Sequence, residues 1–427
     1  MASASISRFR EWLEELLPCP YAFLLERAGG SEEACFTDCW GADPYEVLTV
    51  EGDRTWLLTK AGTADLDGAP LDILTERLRA GCRRFPKGAA VGWLAYDFGR
   101  RFEALPASAP ADLPVPDLCF AFYPELRALA STETADGGAP QVVCRRPIGA
   151  RRAADVRESL GRERYLASVT EVQELIARGD IYQANLTQRF EVPMQASAAD
   201  AYCRLRERAR APYSALMRFG EVTVLSASPE CFLSYDSATR RVQTRPIKGT
   251  RPRSPDPAED QRLAQELLSS EKDRAENVMI VDVHRNDLGR VCIPGSVRVP
   301  QLLGLESHPT VHHLVSAVEG TLRPGLNAAD LLRATFPAGS ITGAPKIRAM
   351  QVLTDLEPVR RGIYTGALGI LHFNGSLELS VAIRTLVARD GRVTLGAGGG
   401  IVADSQPSHE YEECLLKARA LLEAVVG

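Results

Sequence analysis

Glu410 and Glu413 stand three residues apart, just after Asp404-Ser405-Gln406-Pro407-Ser408, a run of capping residues and a proline that predicts a helix start. At that spacing both carboxylates share one face of the first turn. They lie at the border of an apolar arc made by Cys414, Ala418, Leu421, Leu422 and Val425, whereas Glu412 points to the opposite side. A carboxylate beside a buried stripe needs a cation or hydrogen bonds. Complementing the positive end of the helix is the simpler use of such acids. Lys272-Asp273-Arg274-Ala275-Glu276-Asn277 repeats the geometry, with Asp273 and Glu276 expected in the first turn of a helix and an apolar run, 278–281, behind them. Two unrelated solvated caps would explain both segments. Two inward-facing pairs would instead make an oxygen-lined site suited to Mg²⁺, a hard cation that keeps waters and meets anionic substrates.

A lysine and two glycine-rich segments add to this. Pro246-Ile247-Lys248-Gly249-Thr250-Arg251 puts an amine at the end of a strand, either as a surface lysine before a turn or, if partly desolvated, as a nucleophile. Gly396-Ala397-Gly398-Gly399-Gly400, between a short strand at 393–395 and the acidic helix, predicts a turn whose backbone amides can approach an anion closely. Pro337 to Lys346 offers amides, the hydroxyls of Ser340 and Thr342 and an amine at another helix start. Neither segment matches the dinucleotide fingerprint or a P-loop. Two such turns suit a small dicarboxylate better than a nucleotide. There is no GxSxG elbow, no HExxH and no cysteine nucleophile set between glycines.

The elements that must position these groups belong to an ordinary globular chain. Its 427 residues are 45% hydrophobic and 25% charged, with a net charge of -5 that gives no reason to bind a polyanion. No apolar run reaches the roughly 18–20 residues of a membrane span. Ten cysteines scattered from Cys19 to Cys414, without a CxxC pair, read as free thiols in a reducing cytoplasm. The N-terminus is briefly Ser- and Arg-rich, but Trp12, Leu13, Leu16 and Leu17 at helical spacing predict an amphipathic helix of the mature protein.

All four tryptophans fall in the first hundred residues and all six histidines after position 283. A Pro/Ala stretch, 106–116, and a polar segment, 131–152, separate these regions. The expected organisation is a first region at 1–125, a linker at 126–159 and a second domain at 160–427. Strands are predicted at 46–50, 56–59, 89–96, 181–190, 221–226, 241–248, 366–373, 377–386 and 392–397. Helices are predicted at 71–80, 164–177, 258–269, 272–284, 327–335, 345–355 and 408–425. Hairpin-like pairs between helices favour α+β over a doubly wound α/β sheet.

In this order the segments resemble the chorismate-utilising family that contains the anthranilate synthase, aminodeoxychorismate synthase and isochorismate synthase large components. The matching strings are 179–186 (GDIYQANL), Ser228-Pro229-Glu230, 246–251 (PIKGTR), 273–277 (DRAEN), 285–287 (RND), His312-His313-Leu314-Val315-Ser316, 339–346 (GSITGAPK), 383–385 (IRT) and 397–405 (AGGGIVADS), with Glu410 and Glu413. The resemblance implies an anthranilate synthase component I-like α+β fold, two orthogonally packed β-sheets flanked by helical layers. It implies Glu276 and Glu413 as direct Mg²⁺ ligands with Glu410 close by, the ion holding the ring carboxylate of chorismate. It also implies substrate contacts from Gly398, Gly400, Thr342, Lys346, Tyr364 and Arg384, with His313 facing the ring and Glu230 as general acid.

Lys248 decides between branches of the family. Anthranilate and isochorismate synthases usually carry alanine in this string, whereas PIKGT resembles the aminodeoxychorismate synthases. There the lysine attacks C2 and leaves as ammonia adds at C4, so Glu230 and Lys248 form the implied catalytic pair. Chorismate, ammonia and a separate glutamine amidotransferase subunit are the implied partners, on the route to p-aminobenzoate and folate. The alternatives are anthranilate synthase component I and a non-catalytic chorismate-binding paralogue. Leu24-Leu25-Glu26-Arg27 departs from the Leu-Leu-Glu-Ser string of tryptophan-sensing relatives, which implies no tight tryptophan feedback. Cys231 stands where relatives often carry a basic residue.

Overall fold

Several helices begin where the sequence supplies a capping side chain. At the head of Glu271–Gly289 the Ser270 side chain accepts a hydrogen bond from the Asp273 amide, and Asn327 with Asp330 makes a capping box for Ala328–Thr335. The C-terminal helix, Pro407–Val426, starts at a proline, which has no amide to leave unpaired. The Glu271 start puts Asp273 in the first turn but Glu276 in the second, one turn deeper than its spacing had implied.

The computed structural model describes residues 2–28, 36–129 and 156–426. Among them the strands form one ten-stranded and one twelve-stranded sheet, with antiparallel neighbours throughout. Phe23, Tyr213 and Met217 of the first sheet share a buried cluster with Val91, Trp93 and Leu368 of the second, so the sheets pack face to face. The outer face of the ten-stranded sheet is covered by Gly161–Ala177, Ala198–Ala209, Lys346–Leu356 and Pro407–Val426. Pro70–Arg84, Glu271–Gly289 and Ala328–Thr335 cover the twelve-stranded sheet. The result is helix, sheet, sheet, helix, an α+β architecture whose interior gains about 1.5–3 kcal/mol for each large apolar side chain removed from water.

The first region is woven into both sheets. Ala22–Glu26 pairs with Tyr213–Phe219 in one, and Ala89–Leu94 pairs with Ala367–His372 in the other. The boundary at 125 therefore separates no sheets. Most of the expected linker, 130–155, lies outside the described residues, while Arg127–Ala128 and Arg157–Glu158 on either side of it are short edge strands.

Two expected strands are each divided. Pro246 splits 241–248 into Arg241–Arg245 and Ile247–Pro252. The segment 377–386 becomes Leu377–Val381 in the twelve-stranded sheet and Thr385–Arg389 in the ten-stranded one. The glycine cluster is no turn but the second half of a strand, Arg392–Ile401. Helix Ala198–Ala209 and the hairpin Arg298–Ser307/Val311–Thr321 had not been anticipated as elements. Among the described residues no helix is long and apolar enough to cross a membrane, and no two cysteines form a disulfide.

Candidate active site

The chain passes between the sheets twice at one place. It leaves the ten-stranded sheet after Val222–Ser228 and enters the other at Cys231–Tyr235, crossing at Pro229-Glu230. It returns between Val381 and Thr385 through Arg384, held at φ 49°. The crossings are stitched together: the Val381 amide donates to the Glu230 carbonyl at 3.0 Å, and the Ala227 amide to the Arg384 carbonyl at 3.1 Å. Glu230 is 4% exposed, and burial pushes its carboxyl up to about 7, against the opposing pull of the Ser340 hydroxyl, the Lys248 ammonium and the Ile247 amide. The Ser340 hydroxyl acts on this charge without a hydrogen bond of regular geometry. Burial lowers the Arg384 pKa, and this guanidinium has no ion pair among the described residues. A desolvated cation without a carboxylate is suited to an anionic ligand.

Lys248 owes its direction to a bulge. Ile247 pairs with Val315 and Thr250 with His313, so three steps on the lysine strand match two on its partner. The extra residue is absorbed where Gly249 takes φ 88°, and a bulge of this kind re-aims the neighbouring side chain. The Lys248 ammonium acts on Glu230, Glu276 and Glu413 together. His313 is 2% exposed, with Nδ1 2.9 Å from the Thr250 hydroxyl. Burial, then the Arg384 charge, pushes its pKa down to about 3, leaving a neutral ring at physiological pH.

The helix of Glu276 is pinned beside this strand by the fully buried Asn277. Its Nδ2 donates to the Leu314 carbonyl at 3.1 Å, and its Oδ1 accepts from the Ser316 hydroxyl at 2.5 Å. Burial raises the Glu276 pKa, with Asp273 and Glu410 adding to the rise and Lys248 and Lys272 opposing it. Glu410, 6% exposed, accepts from the Ser405 hydroxyl at 2.7 Å and faces the Lys272 ammonium at 3.4 Å. Glu413 keeps 54% of its side-chain surface and pairs with Lys417 at 2.8 Å, which lowers its pKa. Enough protein surrounds this exposed group to desolvate it too, as at the mouth of a cleft. The acids of two distant helices therefore act on one another and on one lysine.

A chorismate binding enzyme family model matches residues 20–423. The chain belongs to that family. It is 40% identical to aminodeoxychorismate synthase component 1 of Escherichia coli (strain K12), over 96% of this chain and 95% of that protein. It is also 40% identical to anthranilate synthase component 1 of Thermus thermophilus, over 95% and 92%. The crystal structure of anthranilate synthase component I from Streptococcus pneumoniae superposes with a TM-score of 0.75 at 30% identity, covering 95% of this chain and 92% of that one.

The remaining expected residues of this chorismate-binding chain divide. Gly398 and Gly400 lie on the stretch of their strand beyond Leu395, where pairing with Thr385–Arg389 has ended and one edge is uncovered. A Cβ on Gly398 would stand 2.0 Å from the Leu186 carbonyl oxygen, so no larger residue fits. Tyr364 packs its ring on Gly396 and lines an open cavity with Thr187, Arg361 and Thr385, a cavity that none of Lys248, Glu230 and Glu276 borders. Lys346 and Thr342 are turned into the protein, a correction to their expected role as substrate anchors. The Lys346 ammonium donates to Asp287 and to the carbonyls of Thr335 and Pro337, leaving no donor for a ligand. The Thr342 hydroxyl is spent on the Ala338 and Gly339 carbonyls.

Gln183 is a residue that sequence reasoning passed over. It is 1% exposed, neither end of its amide has a hydrogen-bond partner, and its Nε2 lies 2.0 Å from where a Cβ on Gly400 would stand. Its place in a strand-like segment gave no signal, because only pairing of that strand with the glycine strand brings the amide to Lys248. The carboxylates of Glu276, Glu410 and Glu413 are hard oxygen donors whose chemistry fits Mg²⁺. Among the described residues, however, no three His, Cys, Asp or Glu side chains are drawn together closely enough to hold an ion. Lysines hold Glu410 and Glu413 instead.

Proposed function

We propose that this chain is the large component of an aminodeoxychorismate synthase. It converts chorismate and ammonia to 4-amino-4-deoxychorismate, on the way to p-aminobenzoate and folate, with ammonia supplied by a separate glutamine amidotransferase subunit. The observation that carries the reading is the Lys248 amine, re-aimed by its bulge to act on Glu230 and on the acids of both helices.

In this reading Lys248, having given its proton to solvent, attacks C2 of the ring as the neutral amine, both ring double bonds shift, and the C4–oxygen bond breaks. Glu230, a carboxyl held up to about 7, gives its proton to the departing hydroxyl, which leaves as water. Ammonia then attacks C4, both double bonds shift back, and the bond from C2 to Lys248 breaks. The proton lost by the incoming nitrogen returns to the amine or to Glu230. A lysine covering C2 blocks ortho attack. Neutral His313 faces the ring, while Arg384 and the uncovered edge of the glycine strand hold the anionic groups; Tyr364, on its separate cavity, takes no part. Mg²⁺ held by Glu276 and Glu413, with Glu410 near, would neutralise the ring carboxylate.

The rival reading is anthranilate synthase component I, kept open by the equal identity to the Thermus thermophilus protein. Purified chain incubated with chorismate, Mg²⁺ and excess ammonium at mildly alkaline pH, with and without an aminodeoxychorismate lyase, separates them. Lyase-dependent p-aminobenzoate supports the proposal, o-aminobenzoate supports the rival, and unchanged chorismate supports a binding paralogue.

A further inference from the structure

Glu276, Glu410 and Glu413 bring three negative charges to the mouth of the site. Lys248, Lys272 and Lys417 bring three positive ones. The neighbouring Asp273 is separately paired with Arg251 at 3.3 Å. The cluster is therefore neutral with no metal in it, and a divalent cation entering it meets three ammonium groups at short range, where Coulomb repulsion is strong. One must leave.

The three lysines are held very differently. Lys248 is directed by its bulge toward Glu230, and the proposed chemistry needs it there. Lys417 makes two short contacts, 2.8 Å to Glu413 and 2.9 Å to the Gly398 carbonyl, and so fastens its helix to the glycine strand. Lys272, as exposed at 46% as Lys417 is at 48%, differs in making a single long contact, 3.4 Å to Glu410. It sits in the first turn of its helix on a flexible four-carbon stem, so its ammonium can rehydrate at little cost.

We infer that Lys272 is a built-in counter-cation: it neutralises buried Glu410 in the metal-free protein, and a divalent ion binds by displacing it into solvent. The inference rests on the metal reading proposed above and adds to it the residue that sets metal affinity. It also explains why Glu410 and Glu413 stand apart in this structure, each on its own lysine. The exchange leaves the site with one net positive charge, so an anionic substrate is attracted to it and should tighten the metal in turn.

Mn²⁺ serves as the probe, its free fraction read by electron paramagnetic resonance in the full chain without and with chorismate. Lys272→Gln should bind Mn²⁺ tighter than the parent protein by on the order of tenfold without chorismate, the scale of coupling between neighbouring sites. Lys272→Arg, which keeps the charge, should bind like the parent, so a gain caused by altered packing is recognised. Unchanged or weaker Mn²⁺ affinity in Lys272→Gln overturns the exchange and leaves the metal reading intact. Failure of every protein to take up Mn²⁺, even with chorismate, overturns both.

Discussion

The ammonium nitrogen of Lys248 lies 3.4 Å from the point that a Cβ on Gly400 would occupy, so a side chain from one sheet reaches a strand of the other at contact distance. The same Cβ would stand 2.0 Å from Gln183 Nε2. Gly400→Ala should fold with a cost of about 1–3 kcal/mol, typical of overpacking. It should lose turnover far out of proportion to that cost, because it moves the amine and the amide together. Thermal unfolding beside steady-state kinetics checks both, and a variant of unchanged activity would show that the amine does not work against that strand.

Lys248→Ala removes the proposed nucleophile while leaving Glu230 and the acidic helices in place. Para-amination should fall below detection, and the protein should gain no chorismate-derived mass. Intact-mass spectrometry after rapid quenching reads the adduct directly. Normal para product from this variant would end the covalent route.

Glu230 donates only while protonated, so kcat/KM for chorismate at saturating ammonia should fall as pH rises through about 7. Glu230→Gln should erase that limb and cost on the order of 10²–10⁴ in rate. The stability effect has the opposite sign. Burial raises this carboxyl from its ordinary 4.5 to about 7, so folding carries no penalty below the lower value, and the penalty grows until pH passes the higher one. Glu230→Gln should therefore be more stable than the parent by a few kcal/mol at pH 8, and no more stable at pH 4. Chemical denaturation at the two pH values is the measurement.

Lys346 should act on stability rather than on substrate. Removing it strands Asp287, 2% exposed, without its cation, and breaking one half of a buried pair costs about 3–5 kcal/mol. Lys346→Met should lower the melting temperature while KM for chorismate in the surviving protein stays near the parent value. A large rise in KM with no loss of stability would restore it as a substrate anchor.

Glu276→Gln should weaken both turnover and Mn²⁺ uptake in the presence of chorismate, because it removes one of three charges from the mouth of the site. Isothermal titration with and without chorismate separates the two effects. Unaltered uptake would remove Glu276 from the ligand set.

Much of this was readable in the chain. Helix starts at Ser270, Asn327 and Pro407 follow from capping chemistry and agree with the expected helices to within a residue or two. The order of the motifs carried the family, and Lys248 within its string carries the proposed branch. The hairpin strand Val311–Thr321 escaped notice because His312, His313, Ser316 and Glu319 break its apolar pattern, although all four are buried. Lys346 was misjudged for a related reason. A lysine at a helix start beside glycines reads as an anion site until Asp287, distant in sequence, is seen to take it.

By itself the sequence determined the local terms: caps, breaks, the apolar faces of helices and the residue types available for chemistry, because each depends on near neighbours. The tertiary structure alone decided which way those residues face. A register shift at Gly249 turned Lys248 toward the acids, paired sheet crossings buried Glu230 beside Arg384, and strand pairing brought Gln183 to Gly400. The reason is that direction and desolvation are set by contacts between segments far apart in the chain, and no local pattern contains them.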